Sequence, residues 1–433
     1  MKPLRILFLS SKAPEHSANL GEDYRKALLS AGHYVDFNYP GMIEDIARIR
    51  EKKKARLNNS TNSFLRRCKI FAILHRLGLY SNLERSLVMD RYPWAFVIGN
   101  ESKPLIDPEI IASKTKGPYD LIITLFWENV ITSHTLKVLS EKYSCPVMIV
   151  PIDMGTYTGG CYYFGSCSRY VDECRSCPAV NGLFRNIAHE NFLKKKKNFS
   201  SMEVMYAGNS YMGVFCKKTH LFKDMMSLSL VINSNTFHPM DKMQCRKELG
   251  IYPDKRFIIL GQYSNDPRKG YKYMVEAVKQ FTSRLTTKEK KDILMLLIGQ
   301  KMNTDIMDFD IDYQHLGFVK LQNLAKVYNA SSVYLCTSLD DAGPSMVNQS
   351  IMCGTPVVAY NSGTAIDVIE DGVSGYKTAI KDSVAFGNYI EKIFRLSNEG
   401  YDNLSKTTRK KALECDSPEA FIKAVEETYY RFR

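Results

Sequence analysis

Asp341-Ala-Gly-Pro-Ser-Met-Val-Asn-Gln349, continued by Ile-Met-Cys353-Gly354-Thr-Pro356-Val-Val-Ala and then by Asp371-Gly372-Val-Ser-Gly375-Tyr, decides the fold of this chain. It orders a polar loop, a short helix, a Gly-Thr-Pro stop, an apolar strand and a second glycine turn. Helix, strand and loop in that sequence form the repeating unit of a doubly wound α/β sheet. A helix opening at Gly343 and Pro344 turns its unpaired backbone N–H groups and positive dipole end toward the preceding loop. That makes an anion site, and a diphosphate fits it.

Outward from this stretch the same alternation continues. Apolar runs at 6–9, 34–38, 121–126, 147–150, 204–206, 228–232, 257–260, 293–298, 333–336 and 357–360 read as parallel strands. Helices are expected over 22–31, ended by Gly32, and over 133–142, 270–284, 321–330 and 383–396. A chain of 433 residues is long for a single core, and two domains of roughly 200 residues each are expected. The polar run Asn233-Ser-Asn-Thr-Phe-His-Pro239 places their boundary. The expected domains are 1–234, with a cysteine-rich loop at 155–180, and 235–415. A final helix within 416–433 is left to cross back onto the first domain.

Apolar content of 45% and charged content of 24% are those of a folded globular protein. No run approaches the ~20 apolar residues of a membrane span, and the apolar stretch after Lys2 and Arg5 is too short for a secretory leader. A net charge of +13 implies a face that attracts anions: nucleotide sugars, anionic lipid or nucleic acid. Two clusters concentrate it, Arg48 to Arg56 and Lys194-Lys195-Lys196-Lys197. The alternation of apolar and cationic residues over 64–77 reads either as a basic amphipathic helix on an anionic membrane surface or as a core helix with an exposed basic face. Eleven cysteines without a leader point to a reducing, cytoplasmic compartment.

The opening stretch resembles the donor site of retaining glycosyltransferases of family four. In that family an acid, seven spacers and a glutamate lead into Ala-Met-Ala-Cys-Gly-Thr-Pro-Val-Val. The first acid falls on Asp341, the second on Gln349, and Cys353-Gly354-Thr355-Pro356-Val357-Val358 matches the tail. The resemblance runs upstream through Asn235-Thr-Phe-His-Pro239, Arg246-Lys-Glu-Leu-Gly250, Arg268-Lys269-Gly270, Leu297-Ile-Gly299 and Leu316-Gly317. It implies a GT-B fold, an α/β architecture of two Rossmann-like doubly wound domains facing a central cleft. It also implies roles. Lys269, with Arg268 beside it, would neutralise the donor diphosphate, and Asp341 would hold donor-sugar hydroxyls and support charge at the anomeric carbon. Gly343, Ser345 and Met346 would supply the backbone cradle, and Gln349 would bond the ribose as an uncharged partner. Gln262 stands after Gly261 where many members carry arginine, so Arg268 is expected to substitute.

In the N-terminal half, Pro146-Val-Met-Ile-Val-Pro-Ile-Asp153-Met-Gly-Thr-Tyr-Thr-Gly159-Gly160-Cys161-Tyr resembles a segment of bacterial surface-polysaccharide glycosyltransferases. Ile152 and Tyr162 replace two histidines of that segment. Asp153 keeps its place and is the candidate for orienting the acceptor. Cys161, Cys167, Cys174 and Cys177 have the spacing of a four-thiolate structural zinc site; reduced thiols and disulfides are the alternatives. Nothing in that loop offers aromatic platforms arranged for bases, so nucleic acid is not expected as a partner.

These features together read as a hexosyltransferase. It moves a sugar from a nucleotide diphosphate donor to a saccharide or lipid-linked saccharide in polysaccharide biosynthesis, on the cytoplasmic membrane face, with no cofactor required for catalysis. The replacements at Gln349 and Gln262 keep open a rival reading as a catalytically weak binding or assembly subunit. A nucleic-acid-binding protein is the other, motivated by charge and cysteines.

Overall fold

The computed structural model describes residues 2–14, 16–39, 101, 104, 106–127, 130–180, 186–251, 255–300 and 309–433. The basic run at 48–56, the amphipathic stretch at 64–77 and Cys68 lie outside these. The chain forms two compact units. The first contains the described residues up to Gly208 together with Met212–Leu228 and Phe421–Arg433; the second contains Asn209–Tyr211 and Ser229–Ala420.

Unit 1 runs β1 (Arg5–Leu9), α1 (His16–Ser30), β2 (Tyr34–Asn38), α2 (Pro108–Lys114), β3 (Leu121–Thr124), α3 (Ser133–Tyr143), β4 (Val147–Ile149), α4 (Ile187–Phe199), β5 (Val204–Gly208), α5 (Ser210–Lys217, whose first two residues cluster with unit 2) and β6 (Asp224–Ser227). Its six strands are parallel in the order β2-β1-β3-β4-β5-β6. All four residues of β3 are buried, as a strand covered by helices on both faces requires. Two expectations are corrected here. The first helix, expected over 22–31, begins at His16, so Gly21 lies inside it. The sixth strand is 224–227 rather than 228–232. The Asp-Met-Met-Ser of β6 is a half-buried end strand with little apolar signal. The more apolar run after it leaves the sheet, and Leu230 and Ile232 pack into the core of unit 2.

Unit 2 runs α6 (Lys242–Glu248), β7 (Phe257–Tyr263), α7 (Tyr271–Thr282), α8 (Thr287–Lys291), β8 (Ile293–Gly299), β9 (Asp312–His315), α9 (Leu321–Ala330), β10 (Val333–Cys336), α10 (Ser345–Met352), β11 (Val357–Tyr360), α11 (Ala365–Val368), β12 (Gly375–Thr378), α12 (Ser383–Phe394) and α13 (Asn398–Cys415). Its strands are parallel in the order β12-β11-β10-β7-β8-β9. Read from the other edge this is 3-2-1-4-5-6, the Rossmann order, with its switch point between β7 and β10. The edge strands β9 and β12 escape sequence reading because Asp-Tyr-Gln-His and Gly-Tyr-Lys-Thr carry no apolar run. The alternation along β8 shows why the sheet is covered on both faces. Leu294, Leu296 and Ile298 pack with Tyr328, Val347 and Ile351, while Ile293, Met295 and Leu297 pack with Met274, Phe281 and Phe386.

A last helix, α14 (Pro418–Arg431), returns the chain to unit 1. There Phe421 meets the Tyr24 ring edge-on at 4.7 Å, and Arg431 pairs with Asp224 at 2.7 Å.

Candidate active site

Where strand order reverses between β7 and β10, the loops leaving their carboxyl ends diverge, and sheets of this kind bind ligands in the crevice so formed. The two loops here are 264–270 and 337–344. They are sewn together by backbone: Leu339 N–H donates to Arg268 O at 2.7 Å, and the Thr337 hydroxyl donates to Lys269 O at 3.1 Å. The seam fixes Gly270 as glycine. Its φ is +65°, and a Cβ there would stand 2.1 Å from Thr337 O.

The seam brings Lys269 and Asp341, 72 positions apart, to a contact of 2.5 Å between Nζ and Oδ2. The carboxylate is 5% exposed and the lysine 26%. Burial alone would push the Lys269 ammonium down; the attraction of Asp341 and its hydrogen bond outweigh burial and hold it above the ordinary lysine range. The second oxygen of Asp341 accepts from Gly343 N–H at 3.2 Å. Asp341 therefore braces its own loop instead of capping α10. No side chain caps that helix at all, and Pro344 stands at its N-cap. The first-turn N–H groups around Ser345 and Met346 face the loop with the dipole's positive end. Gly343 is not required sterically by the fold: a Cβ would meet nothing nearer than Leu230 at 3.6 Å. The room it leaves suits the close approach of a ligand to backbone.

Arg268 also belongs to this cluster, but its guanidinium is engaged. It pairs with Asp266 at 2.6 Å and donates to Asp340 O at 3.3 Å. Gln349 lies one turn into α10, 4% exposed, and its amide oxygen accepts from the Tyr328 hydroxyl at 2.9 Å. The structure thus gathers Lys269, Arg268, Asp341, Gly343, Ser345 and Met346 at one sheet end, with Gln349 beneath them. Asn209 and Tyr211 join the same place unannounced by any motif. Asn209 donates to Ala342 O, and the Tyr211 hydroxyl lies by Ser362 and Asp340, pushed up by burial and then by Asp340. Neither sits in a Gly-rich or charged pattern, and both precede the unit boundary in sequence, so only the fold reveals them.

Asp153 stands in unit 1, just past β4. It is 9% exposed, and its Oδ1 accepts from Gly155 N–H at 2.7 Å, capping a short 3-10 turn. The neighbouring loop is held from beneath by Lys195, which donates to Gly155 O and Thr158 O and lies 3.5 Å from Glu101. The Lys194–Lys197 run is therefore not a free cationic face: Lys195 is 4% exposed, and Lys196 pairs with Glu173 at 2.9 Å. Cys161, Cys174 and Cys177 are buried thiols and Cys167 is half-buried; none is in a disulfide. Burial, reinforced by their mutual proximity, pushes Cys161 up, and it pushes Cys174 to about 12. Among the described residues no group of three or more His, Cys, Asp or Glu side chains is set to hold a metal ion. No helix among the described residues is long and apolar enough to cross a membrane.

Known proteins resemble this chain in sequence and in fold. Residues 241–411, the greater part of unit 2, match the family model described as Glycosyl transferases group 1. The spore coat protein SA of Bacillus subtilis is 26% identical over 204 residues, covering 42% of this chain and 52% of that protein. The N-acetyl-alpha-D-glucosaminyl L-malate synthase of Bacillus anthracis is 21% identical over 211 residues, 48% of this chain and 54% of the relative. The chain thus spans about half the length of the curated relatives it matches. Among solved structures, a sucrose-phosphate synthase from Thermosynechococcus elongatus superposes with a TM-score of 0.61 at 16% identity, covering 99% of both chains. Anabaena HepE, solved in complex with UDP-glucose, superposes with a TM-score of 0.57 at 14% identity, over 99% of this chain and 100% of that one. The fold is therefore α/β of the GT-B type, with two Rossmann-like units.

Proposed function

We propose that this chain is a retaining glycosyltransferase moving a sugar from a nucleotide diphosphate donor to a saccharide or lipid-linked saccharide acceptor. The observation that carries the reading is the Lys269–Asp341 pair at the Rossmann switch point, beside an uncapped helix N-terminus. In this reading the diphosphate draws Lys269 partly away from Asp341 and accepts from the N–H groups of the first turn of α10. The freed carboxylate turns to the donor sugar's hydroxyls and supports positive charge at the anomeric carbon. The bond from that carbon to the phosphate oxygen breaks as the acceptor oxygen attacks from the same face. The acceptor's proton passes to the departing diphosphate, so configuration is retained. Lysine and helix dipole stabilise the charge that develops on the leaving group.

Gln349 lies below the ribose as its uncharged partner, and Asp153 is assigned to the acceptor. Three of the similar structures, all of Anabaena HepE, hold UDP or UDP-glucose, which makes UDP-glucose the first donor to try. The test is turnover of a panel of nucleotide sugars by the purified chain, with saccharide and lipid-linked acceptors and with chelator present. Release of nucleoside diphosphate coupled to a retained glycosidic linkage supports the reading. Donor binding without turnover, across all acceptors, would favour the assembly-subunit reading, for which the Gln349 oxygen already engaged by Tyr328 is the motivating observation.

A further inference from the structure

A cavity of about 660 Å³ opens in unit 2 among residues at the amino ends of β7, β10 and β11. In a parallel sheet that is the end opposite the loops bearing Lys269 and Asp341. Its charged lining is unbalanced: Lys242, Arg246, Lys255 and Arg256 face a single carboxylate, Asp402. Lys255 is answered elsewhere by Asp312 at 2.6 Å. Arg256 lies over the Phe394 ring at 5.1 Å, and it joins no ion pair among the described residues.

Two cations are left with donors to spare. Arg246 is 3% exposed. Its Nε and Nη1 donate to Ala330 O at 3.0 Å and Lys255 O at 2.6 Å, while Nη2 is buried with no protein partner. An unanswered buried guanidinium nitrogen costs free energy that an acceptor oxygen recovers. Lys242 sits 4.3 Å over the Tyr401 ring and donates to the Tyr401 hydroxyl at 3.3 Å, that hydroxyl in turn donating to Ser332 O. No carboxylate among the described residues pairs with it. Burial, then Arg246, lower Lys242 to about 8 against the opposing pull of Asp402. Phe257, Phe394 and Tyr401 are also among the lining residues.

We propose that this cavity is a second binding site, separate from the donor site, for a small organic phosphate whose oxyanion is held by Lys242 and Arg246 and whose ring body lies against the aromatic wall. A phosphoryl group supplies several acceptor oxygens and up to two negative charges, matching the spare donors and the excess of cations. Arginine and lysine converging on one such group, with aromatic surface beside it, recognise both of its parts.

The test is calorimetric titration of the full chain with phenyl phosphate and, separately, inorganic phosphate. The wild-type protein is expected to bind phenyl phosphate saturably and more tightly than inorganic phosphate. Lys242→Ala, at a half-buried position and expected to keep a wild-type circular dichroism spectrum, should weaken binding at least tenfold; Lys269→Ala, at the other site, should leave it unchanged. Arg246→Lys keeps the charge but removes the fork, and should weaken binding if it folds. Unchanged affinity in Lys242→Ala, no saturable binding by wild type, or loss of binding in Lys269→Ala would each overturn the proposal. Equal affinity for the two probes would overturn its organic part. Because Lys269→Ala is in the same experiment, failure here is distinguishable from failure of the transferase reading.

Discussion

The loops at the β7/β10 switch point of unit 2 and the loop after β4 in unit 1 both place charged side chains past the ends of parallel strands, yet they use them differently. In unit 2 a buried carboxylate and a lysine are left mainly to each other, beside an uncapped helix and a glycine with room around it. In unit 1 the corresponding groups are consumed by backbone: Asp153 by Gly155, Lys195 by Gly155 and Thr158, and the Thr158 hydroxyl by the N–H groups of Gly160 and Cys161. On the proposed reading, a charged residue after a strand serves the reaction when the fold leaves its partner exchangeable. One bonded into turns marks a brace.

The comparison can be broken first through its seam. Gly270→Ala forces a Cβ into Thr337 O in the left-handed region and is expected to cost about 3 kcal/mol of stability. A Tm unchanged in a thermal melt would mean that the two loops are not locked as described. A second carboxylate of unit 2 sharpens the contrast. Asp416 is fully buried, bonded to Ser229 at 2.6 Å and Asn348 at 2.9 Å, and burial pushes it up to about 7. The native state therefore keeps a proton that the unfolded chain releases near pH 4, so the stability this group contributes is present at low pH and lost as pH rises through about 7. Denaturant titrations between pH 4 and 8 should show this slope in wild type and lose it in Asp416→Asn; identical slopes would show that Asp416 does not titrate there.

Asp153→Ala should cost about 1 kcal/mol, the scale of a lost cap, in urea melts. If acceptor orientation is also its task, the KM for acceptor rises while donor affinity holds. A stability loss with unchanged acceptor KM would leave Asp153 a brace only. Gln349→Glu carries the smallest effect, a change in nucleotide affinity below tenfold in the tighter direction. The Tyr328 hydroxyl already stands ready to donate to the new carboxylate. Weaker nucleotide binding by calorimetry would count against placing the ribose there.

The residues that meet at the switch point could be singled out in the sequence because they are local: Arg268-Lys269-Gly270 and the run from Asp341 to Pro356 each sit on one strand–loop–helix unit. The central strands were legible as apolar runs, whereas β6, β9 and β12 were not, since half-exposed edge strands need no such run. Asn209 and Tyr211 stayed invisible because their neighbours come from residues more than a hundred positions away. Charge runs misled for the opposite reason. Four lysines at 194–197 look like one patch, but a helix distributes them around its axis, sending Lys195 inward and Lys196 to Glu173.

The central claim is that the Lys269–Asp341 pair handles the donor diphosphate and sugar, and it is tested most directly by Lys269→Ala. With UDP-glucose or whichever donor the panel selects, turnover by this variant should fall by at least about 150-fold, roughly 3 kcal/mol of barrier, the scale of one lost electrostatic stabiliser. Its circular dichroism and Tm should stay close to wild type. A Lys269→Ala protein that folds normally and transfers sugar at near wild-type rate would contradict the account.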